Sequence, residues 1–227
     1  GSVYKTYSYE DYKDMSDKKL YDILCEDLYV DESTEEGPYK SSHSAEYLER
    51  VIYNCPKCGF TTFQSHKQIL HCTTCNMMLR YNEYKQFEGI NIDAPFKNVN
   101  EWYEYQKIKL FDMKLMSYDT NYLFFEDKVK FIEVLFRKSK KIIDKNAIIK
   151  MYSNRIEVIY QEKKSQFLFD KISSSGVFGK NKLNFYVDKY ILQFKGNHSF
   201  NAMKYVNLFY KYKIEKGDVK NDKFLGL

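Results

Sequence analysis

Hydrophobic and polar residues alternate along most of the chain after about residue 120. A period of two places successive side chains on opposite faces of a strand. The alternation therefore predicts about seven β-strands, in the segments 122–127, 128–138, 146–152, 155–162, 165–172, 182–188 and 189–196. Short polar sequences at 153–155 and 187–189 are typical of hairpin turns.

A last amphipathic segment starts at Ser199 and predicts one helix. Its apolar surface is expected from Phe200, Met203, Val206, Leu208 and Tyr210. Seven strands followed by one helix is the element order of a pleckstrin-homology-like barrel, in which the helix closes one open end. The pattern thus predicts that fold for the C-terminal half.

The period changes to that of a helix in the N-terminal part. Residues 16–29 place Leu20, Ile23, Leu24 and Leu28 on one stripe behind Ser16 as N-cap. Cys25 lies beside this stripe, which predicts a buried structural thiol. A second short helix is expected at 45–53.

A third helix is expected over residues 98–115. Asn98 and Glu101 have the spacing of a capping box, with Asn in place of Ser or Thr. Trp102, Tyr105, Ile108 and Phe111 are predicted to anchor this helix to a core.

Four of the five cysteines form two Cys-x-x-Cys pairs in one short stretch. They are Cys55, Cys58, Cys72 and Cys75. Two such turns at the ends of a short hairpin supply four thiolates, the tetrahedral set that structural Zn²⁺ prefers. Pro56 and Gly59 suit the tight turn of the first pair. The spacing of the four cysteines predicts a zinc ribbon.

Four cysteines would leave no open position for water on the metal, so the predicted Zn²⁺ is structural rather than catalytic. His71 is adjacent to Cys72 and His66 is near in sequence, so a shell of three cysteines and one histidine stays open as an alternative. That shell would also be closed.

The net charge of +5 conceals a gradient along the chain. Residues 1–50 carry 6 basic and 13 acidic groups, residues 51–127 carry 8 and 9, and residues 128–227 carry 22 and 9. The basic C-terminal part could face the acidic N-terminal part, a membrane surface or nucleic acid, or be an ordinary solvated surface.

Basic residues concentrate at an expected turn between early strands of the C-terminal half. They are Arg137, Lys138, Lys140, Lys141 and Lys145. At the mouth of a barrel they would bind anionic headgroups, and each lysine near a membrane contributes on the order of 1 kcal/mol. An ordinary soluble turn is the competing interpretation.

Motifs for catalysis are missing from this sequence. It has no Gly-x-Ser-x-Gly, no phosphate-binding loop, no dinucleotide fingerprint and no His-Glu-x-x-His. None of the four histidines is followed five residues later by Asp. It also has no signal peptide and no run of 18 apolar residues, which predicts a cytoplasmic chain.

Several phrases of the sequence resemble a known family. The segments at 9–32, 45–59, 80–89 and 95–106 are similar to the region after the catalytic domain in Firmicutes-type 1-acyl-glycerol-3-phosphate acyltransferases. The resemblance implies a membrane-associated parent enzyme of phospholipid biosynthesis that acylates lysophosphatidic acid. Because the family's His-x4-Asp motif is absent here, no catalytic residue is carried over. The implied partners are an upstream catalytic domain, the inner face of the cell membrane and an acyl carrier or other protein.

Together these observations predict an α+β chain in five parts. We expect a helical lead-in over 1–53, a zinc ribbon over 54–97, a linker helix over 98–118, a pleckstrin-homology-like domain over 119–215 and a tail over 216–227. The alternative functions are a nucleic-acid-binding zinc-ribbon protein and a protein–protein interaction module. A nucleic-acid role is weakened because only four arginines are present to read bases.

Overall fold

The computed structural model describes residues 3, 5–30, 37–135 and 140–218. Two compact units divide the chain, one from Gly1 to Gly37 and one from Pro38 to Leu227. Arg137 and Lys138 lie outside the described residues, as does the end of the predicted tail after 218.

The N-terminal unit contains two helices, α1 at Tyr9–Tyr12 and α2 at Asp17–Leu28. Ser16 is the N-cap of α2, and its Oγ accepts a hydrogen bond from the Lys19 backbone N–H at 3.3 Å, as predicted. No residue of α2 is buried, and Leu24 and Leu28 are exposed. The prediction for Cys25 is wrong, because its stripe covers no core and the thiol is exposed.

Six short strands follow in the second unit. They are β1 at Asn54–Cys55, β2 at Gly59–Phe60, β3 at Phe63–His66, β4 at Ile69–Cys72, β5 at Met78–Tyr81 and β6 at Phe87–Gly89. Strands β1 and β2 form an antiparallel pair, and β3 to β6 form an antiparallel sheet in chain order. The helix predicted at 45–53 is only a 3₁₀ turn at Leu48–Arg50.

Helix α3 spans Val99–Asp112 and begins at the predicted N-cap. The Asn98 side chain accepts from the Glu101 backbone N–H at 2.9 Å. The Glu101 carboxylate accepts from the Lys97 backbone N–H instead of from Asn98, so the capping box is displaced by one residue. After this helix the chain makes a 3₁₀ turn at Leu115–Ser117.

Seven further strands form a single curled antiparallel sheet. They are β7 at Phe125–Leu135, β8 at Lys140–Met151, β9 at Arg155–Tyr160, β10 at Lys163–Leu168, β11 at Ser174–Val177, β12 at Lys182–Val187 and β13 at Tyr190–Lys195. Their order across the sheet is β10-β9-β8-β7-β13-β12-β11. Both predicted hairpin turns occur, between β8 and β9 and between β12 and β13. The sheet curls into a half-barrel. Its first strand in the chain, β7, pairs with its last, β13, in the middle of the sheet.

Helix α4, Met203–Glu215, packs on the inner side of this sheet. Tyr205, Leu208 and Phe209 are fully buried, and the Phe209 ring lies 5.5 Å from Phe169 and 5.8 Å from Phe185. Polar groups fix the position of the helix, since the Tyr205 hydroxyl donates to Asp127 at 2.7 Å and Lys204 pairs with the same carboxylate. The chain is therefore of mixed α+β class.

Candidate metal centre

Two turns of the same design carry the four cysteines. In the first, strands β1 and β2 pair Cys55 with Gly59, and Cys58 lies in the turn between them. In the second, Cys72 ends β4 and Cys75 follows three residues later. Gly59 has φ +73° and Asn76, at the matching place after Cys75, has φ 60°. Only glycine, and less readily asparagine, adopts this left-handed conformation at low cost.

The turns bring all four sulfur atoms together. Every pair of Sγ atoms lies within 4.8 Å, with Cys55 3.7 Å from Cys75 and Cys58 4.0 Å from Cys72. Four thiolates at about 2.3 Å from a central Zn²⁺ would stand about 3.8 Å apart. The four cysteines are therefore close enough together to hold a metal ion.

Backbone amides support the charged form of Cys55 and Cys75, whereas burial and the neighbouring thiols raise the pKa of Cys58 to about 12. Burial raises the pKa of Cys55, although the N–H groups of Lys57 and Cys58 donate to its Sγ and oppose that rise. Burial also acts against ionisation of Cys75, but the Met77 N–H and the neighbouring thiols together lower its pKa to about 7. Such N–H donors fit sulfur ligands that carry negative charge.

The histidines do not join this cluster. His71 lies on β4 next to Cys72, but successive strand residues point to opposite faces, so Cys72 is buried and His71 is not. The His71 Nε2 atom lies 3.3 Å from the Asn76 side-chain oxygen. His66 is exposed on β3. Among the described residues, the ligand set is the four cysteines alone.

A small core surrounds the cluster and includes two of its ligands. Cys55 and Cys72 belong to it together with Ile52, Phe63, Leu70, Met77, Leu79, Phe87 and Trp102. Cys58 and Cys75 are half-buried, and Cys75 borders an open cleft beside Lys57 and Ile92. The four sulfur atoms are thus covered by the core on one side and reachable from the cleft on the other.

Trp102 of α3 is the largest side chain in this small core. It is fully buried, and its ring lies 5.4 Å from Phe63 and 5.3 Å from Phe87. Its indole N–H donates to the Asn54 backbone carbonyl at 2.8 Å, directly before the first ligand. Helix α3 therefore forms part of the core of the ribbon.

Gln106, one turn further along α3, holds the chain that leads into the first cysteine. Its side-chain oxygen accepts from the N–H groups of Tyr53 at 2.7 Å and Asn54 at 3.1 Å, and its amide donates to the Val51 carbonyl at 3.2 Å. Asn201, before α4, donates to the Glu49 carbonyl at 3.0 Å. The sequence pattern does not predict these contacts of Gln106 and Asn201, because helical periodicity indicates only the apolar residues of a buried face.

The buried face of α3 also differs from the predicted one. Trp102 is buried as expected, but Ile108 is 57% exposed, while Gln106 and Leu110 are buried. The buried positions are spaced by four residues, which is one face of a helix. Ile108 was wrongly placed on this face because it is apolar.

Of the predicted basic residues, the structure describes Lys140, Lys141 and Lys145, and these three do not share one face of the sheet. Lys140 and Lys141 begin β8 and point to opposite faces of the sheet, where they stand opposite Val134 and Glu133. Lys145 is exposed further along the same strand, where the pairing of β7 and β8 is irregular.

Comparison of the chain with protein-family models and with curated protein sequences gives no match. Among the described residues, no helix has the length and apolar character needed to cross a membrane.

Proposed function

We propose that Cys55, Cys58, Cys72 and Cys75 bind one Zn²⁺ ion with a structural role. The observation that carries this proposal is the convergence of four Sγ atoms within 4.8 Å, with backbone N–H groups directed at those of Cys55 and Cys75. Four negative thiolates at such distances repel one another strongly unless a cation lies between them. A bound zinc ion would neutralise this charge and cross-link the two turns.

Metal analysis of the purified protein tests this assignment. We expect about one zinc per chain, and less than a tenth of that in Cys72→Ser, which removes a buried ligand. Cys25→Ser is the matched control, since Cys25 is exposed and lies in the other unit. A protein that carries iron, recognised by its visible absorption, would overturn the choice of metal, since four cysteines also suit iron.

We further infer that the curled sheet and α4 have a pleckstrin-homology-like architecture. The supporting observations are the strand order, in which the first and seventh strands are neighbours, and the position of α4 on the inner side. An experimental structure with a different strand order would contradict this assignment.

The wider role that we propose is that of a non-catalytic accessory region in a membrane-associated acyltransferase. It rests on the resemblance of the sequence around the cysteines to the region after the catalytic domain of 1-acyl-glycerol-3-phosphate acyltransferases. The closed set of sulfur ligands supports a structural over a catalytic part. In this role the chain would help to hold its catalytic domain at the cytoplasmic face of the membrane, or recruit an acyl carrier.

Turnover measurements address the non-catalytic part of this proposal. With lysophosphatidic acid and an acyl thioester as substrates, we expect no acyl transfer above background by this chain alone. Measurable turnover would contradict it, provided that the turnover survives repurification and is lost in a variant of this chain. Both conditions exclude a contaminating acyltransferase as its source.

Vesicle flotation addresses the membrane part. We expect the chain to float with vesicles that contain anionic phosphatidylglycerol and not with neutral phosphatidylcholine, and we expect high salt to abolish the difference. Equal recovery with both kinds of vesicle would remove the electrostatic membrane role.

A further inference from the structure

Two rows of charged residues cross the outer face of the curled sheet. One row alternates between negative and positive charges, and the other is entirely positive. The first row is neutralised along its length, because Glu126, Lys150 and Glu157 stand directly opposite one another on β7, β8 and β9. The Lys150 Nζ lies 3.0 Å from the Glu126 carboxylate, and Glu157 also binds Lys164 at 2.7 Å. Opposite charges across strands stabilise a sheet.

The second row consists only of lysines. Lys182 on β12 stands opposite Lys195 on β13, which stands opposite Lys130 on β7. Directly opposed residues share one face of a sheet, so the three ammonium groups emerge side by side over about 10 Å. No carboxylate of the described residues pairs with any of them. Opposed like charges are destabilising, so the row costs stability in the free protein.

An aromatic ring lies among these cations. Phe178, in the loop between β11 and β12, is 52% exposed. The Nζ atoms of Lys182 and Lys140 lie 5.2 Å and 6.0 Å from its ring centre. Lys140 stands opposite Val134 of β7, and Ile142 stands opposite Ile132, so both lie on the same face of the sheet as Lys130. Ile142 is 51% exposed. The outer face therefore combines unpaired positive charge with apolar groups in water.

We propose that this lysine–phenylalanine face, defined as Lys130, Lys140, Lys182, Lys195 and Phe178, binds the phosphate-bearing surface of an anionic lipid bilayer. The inference rests on the membrane role proposed above and gives it a location. It centres the contact on the lysine row of β7, β12 and β13 and on Phe178, with Lys140 at the start of β8 as its edge, rather than confining it to the turn between β7 and β8.

Charge and shape favour a bilayer as the occupant. A negatively charged leaflet attracts each nearby lysine independently, and it requires no base-reading arginine. Exposed aromatic and aliphatic side chains among cations enter the headgroup region, where the apolar part leaves water and the charges stay hydrated. The alternating row at Glu126, Lys150 and Glu157 offers no such attraction on the same sheet.

Binding of the zinc-loaded full chain to vesicles tests the location. The variant Lys130→Gln/Lys182→Gln/Lys195→Gln removes the row. We expect its partition onto vesicles of phosphatidylcholine with phosphatidylglycerol to fall about five-fold for each lysine, and on the order of 100-fold in all. Because the substitutions relieve repulsion, its melting temperature should be unchanged or higher, which separates lost binding from lost folding.

The matched control removes the same charge elsewhere. Lys138→Gln/Lys141→Gln/Lys145→Gln changes the turn and its surroundings, and we expect it to keep most of the affinity for anionic vesicles. If this variant loses binding and the row variant keeps it, the contact lies at the turn; the inference then fails while the membrane role survives. If the unaltered chain binds neither kind of vesicle, both proposals fail.

A second pair of variants tests the ring. Phe178→Ser should lower partition about ten-fold, because roughly half of a phenylalanine surface enters the interface. Leu168→Ser, which alters a similarly exposed residue on β10, should leave it unchanged. Binding of a single-stranded oligonucleotide more tightly than vesicles, with loss in the row variant, would assign the face to nucleic acid and overturn the inference.

Discussion

The four-cysteine ribbon and the curled sheet belong to the same compact unit, but their cores differ in size and composition. The ribbon has a small core in which two of the nine buried side chains are the proposed metal ligands Cys55 and Cys72. The sheet has a much larger core of aromatic and aliphatic residues, closed by α4. The comparison teaches that a core as small as that of the ribbon needs a cross-link, which the proposed metal ion would supply, whereas hydrophobic burial suffices in the sheet.

Loss of a metal ligand should separate the two regions most clearly. In Cys72→Ser we expect amide hydrogen exchange in β3, β4 and β5 to accelerate by at least about 10⁴-fold, because folding of a ribbon that is cross-linked by a metal ion is coupled to metal binding. Amides in β8 and β9 should keep most of their protection. Exchange measured by mass spectrometry checks this, with Cys25→Ser as the control. Unchanged protection in β4 would show that the ribbon core is sufficient without metal.

Trp102→Ala should give the next largest effect, about 3–5 kcal/mol of unfolding free energy. The substitution removes the centre of the ribbon core and leaves the Asn54 carbonyl without its donor. Urea unfolding followed by circular dichroism measures the loss. Ile108→Ala on the same helix is 57% exposed in the parent and should change stability by less than about 0.5 kcal/mol. Equal losses would contradict the position of α3.

Gln106→Ala tests the polar contacts between α3 and the ribbon. We expect a loss of about 2–3 kcal/mol, because the N–H groups of Tyr53 and Asn54 are left buried without an acceptor. Gln106→Glu keeps the acceptor atoms but loses the donor to Val51, and it buries a charge. A change below 0.5 kcal/mol in the alanine variant would mean that water replaces the side chain.

Gly59 offers a smaller test within the ribbon. Gly59→Ala should cost about 1–2 kcal/mol because of its left-handed backbone, although no atom would obstruct the added methyl group. Gly59→Asn should cost less, since Asn76 already adopts this conformation in the second turn. Thermal melts of both variants with zinc present compare them. Equal costs would point to contacts instead of backbone conformation.

The smallest expected effect lies in the sheet and depends on pH. Burial opposes ionisation of Glu157, but hydrogen bonds from Lys164 and Gln166 outweigh it and lower its pKa. A lowered pKa in the folded state stabilises the protein above the ordinary range for glutamate, near pH 4.3, and this contribution disappears as the pH falls further. The stability difference between the unaltered chain and Glu157→Gln, about 1 kcal/mol at pH 6 to 7, should shrink by pH 3. A constant difference would contradict the shift.

The sequence predicted the convergence of the four cysteines correctly because its signal is local. Cysteine spacing and one glycine determine the turns, and the alternating strands are equally visible within short windows. The contacts of Gln106 and Asn201 with the chain before Cys55 could not be predicted, because they join residues about 50 and 150 positions apart. The row of Lys182, Lys195 and Lys130 could not be predicted for the same reason, since it depends on the register of three strands.

Helix α3 has a consequence for how the molecule moves in solution. Trp102 lies in the ribbon core and Leu110, about 12 Å further along the helix, lies in the core of the sheet. A rigid rod fixed at both positions prevents the ribbon from swivelling against the sheet. In NMR relaxation we therefore expect the backbone amides of β4 and β9 to report one rotational correlation time, as in a single rigid particle rather than two tethered beads.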